Sequence, residues 1–256
     1  MKNPLITLLT DFGTKDPFVG VMKGVLLSIC PAARLVDLSH EVPPQSVLSA
    51  AFLLKSSIAY FPKGTVHLAV VDPGVGSTRK AVALKSKGHY FVGPDNGLFS
   101  AALKDWGIEQ MVELTQKKYQ LPNPSSTFHG RDLFAPAAAY LAKGVPLTKL
   151  GNKQNNWIWR EIPKAYKTPL GWTGQVLWVD HFGNLVTNLE GKHLPESFRL
   201  KIGKTFILTL VTHYAEAKRG TPAALLGSSG NLEISVNGGN AAQKLGVGIG
   251  APVALG

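Results

Sequence analysis

The run Thr65-Val66-His67-Leu68-Ala69-Val70-Val71, closed at once by Asp72-Pro73-Gly74, constrains this chain more than any other segment. An apolar run of that length, bounded by a turn signal, reads as a strand buried on both faces. Such strands belong to parallel sheets whose faces are covered by helices. The neighbouring segments fit that picture. Leu5-Ile6-Thr7-Leu8-Leu9 and Arg34-Leu35-Val36-Asp37-Leu38 read as further strands, and Phe18 to Ser28 and Val47 to Tyr60 have helical spacing. Ala81 to Leu84 and His89 to Val92 read as strands around a turn at Lys87-Gly88, and Asp132 to Ala142 as an alanine-rich helix. The expected fold of the first half is α/β: a mostly parallel sheet with helices on both faces.

The second half changes character. Lys164-Ala165-Tyr166-Lys167-Thr168-Pro169 is polar, comes after Pro163 and reads as a linker. Beyond it come short runs punctuated by Gly, Asn and Pro: Gly174 to Val179, Asn184 to Leu189, Thr205 to Val211, Leu232 to Val236 and Pro252 to Leu255. That pattern predicts an all-β, barrel-like domain. Two domains are expected, residues 1–165 and 166–256.

Composition narrows the function classes. Hydrophobic residues at 45% and charged residues at 17% suffice for a proper core. The net charge is +11, yet the lysines are scattered, the densest spots being Lys85/Lys87, Lys117/Lys118 and Lys201/Lys204. With no run of five like charges, a solvated surface is expected, and no nucleic-acid partner. Cys30 stands alone, which excludes an internal disulfide and, on cysteine alone, a zinc site. Met1-Lys2-Asn3-Pro4 runs into an apolar strand too brief for a secretory signal, and no apolar stretch nears the ~20 residues of a membrane span. The expectation is a cytoplasmic protein without a membrane partner.

Ligands of parallel α/β sheets gather at the carboxyl ends of the strands. Asp11, Asp72 and Asp95 all fall at such ends. Turn chemistry explains any one of them; three on one rim suggest a site. Gly74 and Gly76 let the backbone approach a ligand closely, while the absence of a G-x-G-x-x-G run and a Walker lysine speaks against phosphate. A nucleoside fits better. Arg79 lies seven residues after Asp72, and a Gly-rich loop can fold it back to pair with that carboxylate. His129, in Thr127-Phe128-His129-Gly130-Arg131-Asp132, leaves a loop and enters the alanine-rich helix. In the second half, Asp180-His181-Phe182-Gly183-Asn184 places a carboxylate, an aromatic ring and an amide on one turn. Two polar turns, around Ser228 and Asn237, flank a strand and suit a flat heterocycle or a plain hairpin.

Taken in order, Thr10-Asp11-Phe12-Gly13 with Asp16, Val71-Asp72-Pro73-Gly74-Val75-Gly76 with Arg79, Pro94-Asp95-Asn96-Gly97, Phe128-His129-Gly130-Arg131-Asp132, Asp180 to Asn184, and Ser228-Ser229-Gly230 with Asn237 resemble the S-adenosyl-L-methionine (SAM) hydroxide adenosyltransferases, or SAM hydrolases. These are relatives of the fluorinase and chlorinase. The resemblance runs from Leu5 to about Val253. It implies an α/β domain followed by a β-barrel, a homotrimer with the active site between subunits, SAM as substrate, and neither metal nor other cofactor. It carries the catalytic set onto Asp72, Arg79 and His129. It carries ribose binding onto Asp11, methionine contacts onto Asp16, Asp180 and Ser228, and adenine contacts onto Phe182, Asn184 and the turn of Asn237. Phe128 joins the substrate-binding residues. The halogenating relatives carry tyrosine at the position of Asp72, and a carboxylate there would repel a halide. Ser229 and Val236 stand where the fluorinase has arginines, and Phe18 where it has serine.

This chemistry suits these residues. A sulfonium leaves as a neutral thioether, so attack at C5′ requires a well-held oxygen nucleophile more than an acid or a metal. Either Asp72 or His129 could take the proton. The alternatives are a SAM-dependent halogenase, a SAM or adenosine sensor without turnover, and a nucleic-acid-binding β-barrel protein.

Overall fold

Residues 3–256 are described in a computed structural model. Their contacts divide the chain between Ile162 and Pro163 into two units. No helix among the described residues is long and apolar enough to cross a membrane.

In chain order the first unit contains β1 (Leu5–Thr10), α1 (Phe18–Ile29), β2 (Arg34–Ser39), α2 (Val47–Ile58), β3 (Val66–Val70), β4 (Ala81–Ser86), β5 (His89–Pro94), α3 (Ser100–Leu103), β6 (Gln110–Glu113), α4 (Ala135–Ala142) and β7 (Asn152–Lys153). The strands form one sheet in the order β2-β1-β3-β5-β4-β6-β7. The pairs β2–β1, β1–β3 and β3–β5 are parallel, whereas β5–β4, β4–β6 and β6–β7 are antiparallel. The sheet is thus mixed, a correction to the mostly parallel sheet expected. The cause is local: a two-residue turn can join only antiparallel strands, and Lys87-Gly88 joins β4 to β5.

β3 is buried along its whole length, as its apolar run requires. Its alternate residues enter different clusters, because successive strand side chains point to opposite sides. Val66, Leu68 and Val70 pack with Met22 and Leu26 of α1 and with the alanines of α4. Ala69 packs with Ala50 and Leu54 of α2 and Ala102 and Leu103 of α3. The helix expected from Asp132 begins differently, with a π-helical turn at Gly130–Phe134 ahead of α4. Pro136 has no N–H to offer the carbonyl four residues back. That carbonyl, of Asp132, accepts from the Leu121 N–H instead at 2.9 Å.

The second unit contains β8 (Tyr166–Thr168), β9 (Gly171–Val179), β10 (Leu185–Glu190), β11 (Leu200–Ile202), β12 (Thr205–Ile207), β13 (Pro222–Leu226), β14 (Asn231–Val236), α5 (Ala241–Leu245) and β15 (Pro252–Leu255). The strands run β12-β11-β15-β9-β10-β14-β13, with β8 on β9, and every named pair is antiparallel. A bridge between Leu210 and Ala224 draws the chain beyond β12 against β13, so the sheet is nearly closed and barrel-like. Val176, Leu185, Leu200, Ile234 and Val253 fill its interior. Tyr166 to Thr168, read from sequence as linker, is an edge strand. The strand expected over Thr205 to Val211 ends at Ile207.

Candidate active site

Asp72 follows the end of β3, and the loop from Pro73 to Thr78 returns Arg79 to it. The guanidinium grips the carboxylate from the side: Nε donates to Oδ1 at 2.9 Å and Oδ2 at 3.0 Å, and Nη2 donates to Oδ2 at 2.5 Å. Both side chains are nearly enclosed, 9% exposed for Arg79 and 5% for Asp72. The guanidinium also lies 5.1 Å from the centre of the Phe134 ring.

Gly76 makes the return possible. Its φ is +78°, and a Cβ there would stand 2.5 Å from the Ser126 carbonyl oxygen. Only glycine lets this loop press against the one that leads to His129. As a result Arg79 Nη2 reaches His129 Nδ1 at 2.7 Å. Arginine has donors only, which makes Nδ1 the acceptor and assigns the proton of a neutral His129 to Nε2. Burial, aided by the adjacent Arg79 charge, holds the His129 pKa below its ordinary value and favours that neutral form. The three residues expected to be catalytic are therefore one connected group.

Asp11 sits just past β1, and its Oδ2 accepts from the Gln45 N–H at 2.8 Å. His40 holds the Asp11 turn from both sides. Its Nδ1 lies 2.8 Å from Thr10 Oγ1, and its carbonyl accepts from the Gly13 N–H at 2.8 Å. Asp16 is exposed, at the entry to α1. Phe128 is half-buried and packs edge-on against Phe12 and Phe18, with ring centres 5.9 and 5.3 Å away.

In the second unit, Asp180 closes its own turn. Its Oδ1 accepts from the N–H groups of Phe182 at 2.9 Å and Asn184 at 2.8 Å, and its Oδ2 from Asn184 Nδ2 at 2.9 Å. Gly183, at φ +82°, packs where a Cβ would collide with the Asn240 amide. That turn buries Asn184 and leaves Phe182 72% exposed, its ring edge-on to His181 with centres 5.6 Å apart. Ser228 is exposed in the turn before β14, and Asn237 follows the other end of that strand, donating to the Ala217 carbonyl at 2.7 Å. Those two residues are thus held apart by the length of β14.

Several supporting residues lie outside the site residues expected from the sequence. Asp132 is 2% exposed and accepts from the Ser125 N–H at 2.8 Å, fixing the loop before His129. Tyr214 donates to Glu233 Oε2 at 2.8 Å. Burial and that bond push the Tyr214 phenol up to about 12, and burial pushes the Glu233 carboxyl up. The sequence offers no signal for this pair, because Glu233 takes an ordinary polar place in the alternation of Asn231-Leu232-Glu233-Ile234-Ser235-Val236.

Comparison with known proteins agrees in both halves. Residues 6–151 match the SAM hydroxide adenosyltransferase N-terminal domain, and residues 174–254 match its C-terminal domain. A protein of Thermus thermophilus named (R)-S-adenosyl-L-methionine hydrolase is 40% identical, over 98% of this chain and 98% of that one. A fluorinase of an Actinoplanes species is 30% identical, over 92% of this chain and 91% of its own. An uncharacterised conserved protein of Thermotoga maritima, solved by crystallography, superposes with a TM-score of 0.90 at 35% identity, covering 98% of this chain and all of that one. With both domain types matched in order across nearly its whole length, this chain belongs to the SAM hydroxide adenosyltransferase family.

Proposed function

We propose that this chain hydrolyses S-adenosyl-L-methionine to adenosine and L-methionine by in-line attack of water at C5′ of the ribose. The observation that carries the reading is the connected Asp72–Arg79–His129 group at the end of β3. The hydrolase name of the 40%-identical relative supports it. That name specifies the R configuration at the sulfonium sulfur, so the two sulfur epimers are the substrates to compare.

The roles follow from donors and acceptors. His129 accepts at Nδ1 and presents Nε2–H, so it serves the water as a donor and not as a base. Its N–H holds the water oxygen in line with the C–S bond, and such positioning is worth up to ~7–11 kcal/mol in favourable intramolecular systems. Asp72 keeps unused lone pairs beyond its three contacts with Arg79, and it takes the proton as the water attacks. Arg79 fixes both partners at once. The C–O bond forms as the C–S bond breaks, and the sulfonium leaves as a neutral thioether. The leaving group needs no metal or acid, which supports a reaction without a cofactor.

Asp11 binds the ribose hydroxyls, Asp16 and Asp180 the methionine ammonium, Ser228 the methionine end, Phe182 and Asn184 the adenine beside the Asn237 turn, and Phe128 the apolar part of the substrate. The ammonium role of Asp180 is shared with its turn, since three donors already occupy it. The family resemblance supports a homotrimer with the site at the subunit interface. The scattered charge supports a surface without a nucleic-acid partner. The division of β3 between two clusters supports helices on both faces of the first sheet.

Product analysis tests the activity. SAM incubated with the protein, with and without chloride or fluoride, is expected to give adenosine and methionine in every case. A 5′-halo-5′-deoxyadenosine would make the protein a halogenase, and bound but intact SAM would make it a sensor.

A further inference from the structure

A cavity of about 400 Å³ is lined by Phe12, Phe18, Ser125, Thr127, Phe128 and Arg131, the last two flanking His129 in the chain. The rings of Phe12, Phe18 and Phe128 meet edge-on, with centres 5.3 to 6.1 Å apart, and form an apolar wall. Arg131 forms the polar edge. Its Nε donates to Asp132 Oδ1 at 2.6 Å and its Nη2 to Asp132 Oδ2 at 3.0 Å. Its guanidinium carbon lies 5.1 Å from the centre of the Phe128 ring. One edge of the fork is thus fixed by a carboxylate only 2% exposed, and one face rests on an aromatic ring.

Among the described residues, no acceptor is assigned to Arg131 Nη1. The side chain is 35% exposed, and it lines the cavity. A guanidinium locked along one edge loses little rotamer freedom when its other edge binds. Its remaining N–H groups match a planar oxyanion, and a carboxylate is the commonest such partner. The hydroxyls of Ser125 and Thr127 bond each other at 3.0 Å, which leaves one O–H of the pair as a further donor on the same rim. An aromatic wall beside them suits a methylene and thioether chain. A ligand with a carboxylate at one end and a sulfur-bearing chain behind it fits this arrangement.

We propose that the Arg131 edge of this cavity binds the α-carboxylate of the substrate's methionine half, with the phenylalanine wall taking its thioether chain. The inference rests on the proposed hydrolysis of SAM. It makes Arg131 a specificity-determining residue that never touches the reacting C5′ atom. Asp132 then has two tasks, holding the loop before His129 and holding the guanidinium at its post.

The test compares SAM with decarboxylated SAM, which lacks only that carboxylate. Wild-type turnover of SAM is measured first, and its absence overturns the hydrolase reading, not the carboxylate site. The site is then read by calorimetric binding of the same two compounds. For the wild type, kcat/KM (or affinity) is expected to favour SAM by roughly tenfold or more, the size of a charged hydrogen-bonded pair. In Arg131→Gln that preference should collapse toward one, through loss on SAM alone. Arg131→Lys keeps a cation on Asp132 without a second edge, and should collapse the preference in the same way should the glutamine variant fail to fold. Equal losses on both compounds would mean that Arg131 is merely structural and would overturn the proposal. So would a wild-type preference near one.

Discussion

Acid should weaken the strand that delivers Asp72 to the site, through a histidine five residues upstream. His67 is completely buried in β3. Its Nδ1 lies 2.8 Å from Thr7 Oγ1 and its Nε2 3.2 Å from His89 Nδ1. Phe61, Phe91 and the stacked His89 ring surround it. Burial, then the proximity of His89, lowers its pKa from 6.5 to about 3. The folded state keeps His67 neutral while the unfolded chain protonates it below about 6.5. Stability from this group is therefore full above pH 6.5 and is lost as pH falls toward 3. At ~1.4 kcal/mol per pH unit, acidification to pH 4 removes ~3 kcal/mol. That is a large part of the ~5–15 kcal/mol that a domain commands. His67→Gln, which can still donate and accept, should flatten this dependence by a similar amount. Urea titrations at pH 7 and pH 4, read by hydrogen exchange on the peptide spanning β3, measure it. Equal pH dependence in the wild type and the variant would refute the reasoning. So would an imidazole NMR titration showing His67 protonating near pH 6.

Other expectations concern the active site. His129 must be neutral to accept from Arg79, and its pKa is lowered by burial. kcat/KM should hold through pH 6.5 and fall at lower pH; a midpoint above 6.5 would contradict this. Asp72→Asn should cut kcat by ~10²–10⁴-fold, the usual worth of a proton acceptor, while sparing SAM affinity by calorimetry. Gly76→Ala forces a Cβ against the Ser126 carbonyl in a left-handed conformation. It should cost at least ~1–2 kcal/mol in thermal unfolding and reduce kcat, because Arg79 and His129 are pushed apart. Unchanged activity would show that the two loops are not coupled.

Much of the first unit was legible because β1, β3 and β5 are apolar runs that cannot be exposed. The turn at Lys87-Gly88 was legible too, but not its consequence, an antiparallel half to the sheet. β6 is hard to see in sequence because Gln110-Met111-Val112-Glu113 has only two apolar residues. β8 reads as linker because an edge strand bonded on one side tolerates polar residues such as Lys167. The π-helical turn depends on what Pro136 withholds from Asp132, and one missing N–H leaves no periodicity to read. At the site, strand ends and family motifs indicated Asp72, Arg79 and His129. The donor order that leaves His129 with Nε2–H is a matter of 2.7 Å geometry and is invisible in sequence. The same holds for the Asp132 anchor of Arg131, since adjacent Arg-Asp pairs are common and few lie against a cavity.

The central claim is that water, held by Asp72, Arg79 and His129, attacks C5′. Turnover of SAM in halide-free buffer made with H₂¹⁸O, followed by mass spectrometry of the products, tests it most directly. The account predicts adenosine carrying one ¹⁸O and methionine carrying none. Unlabelled adenosine, or label found only in the methionine half, would contradict attack at C5′.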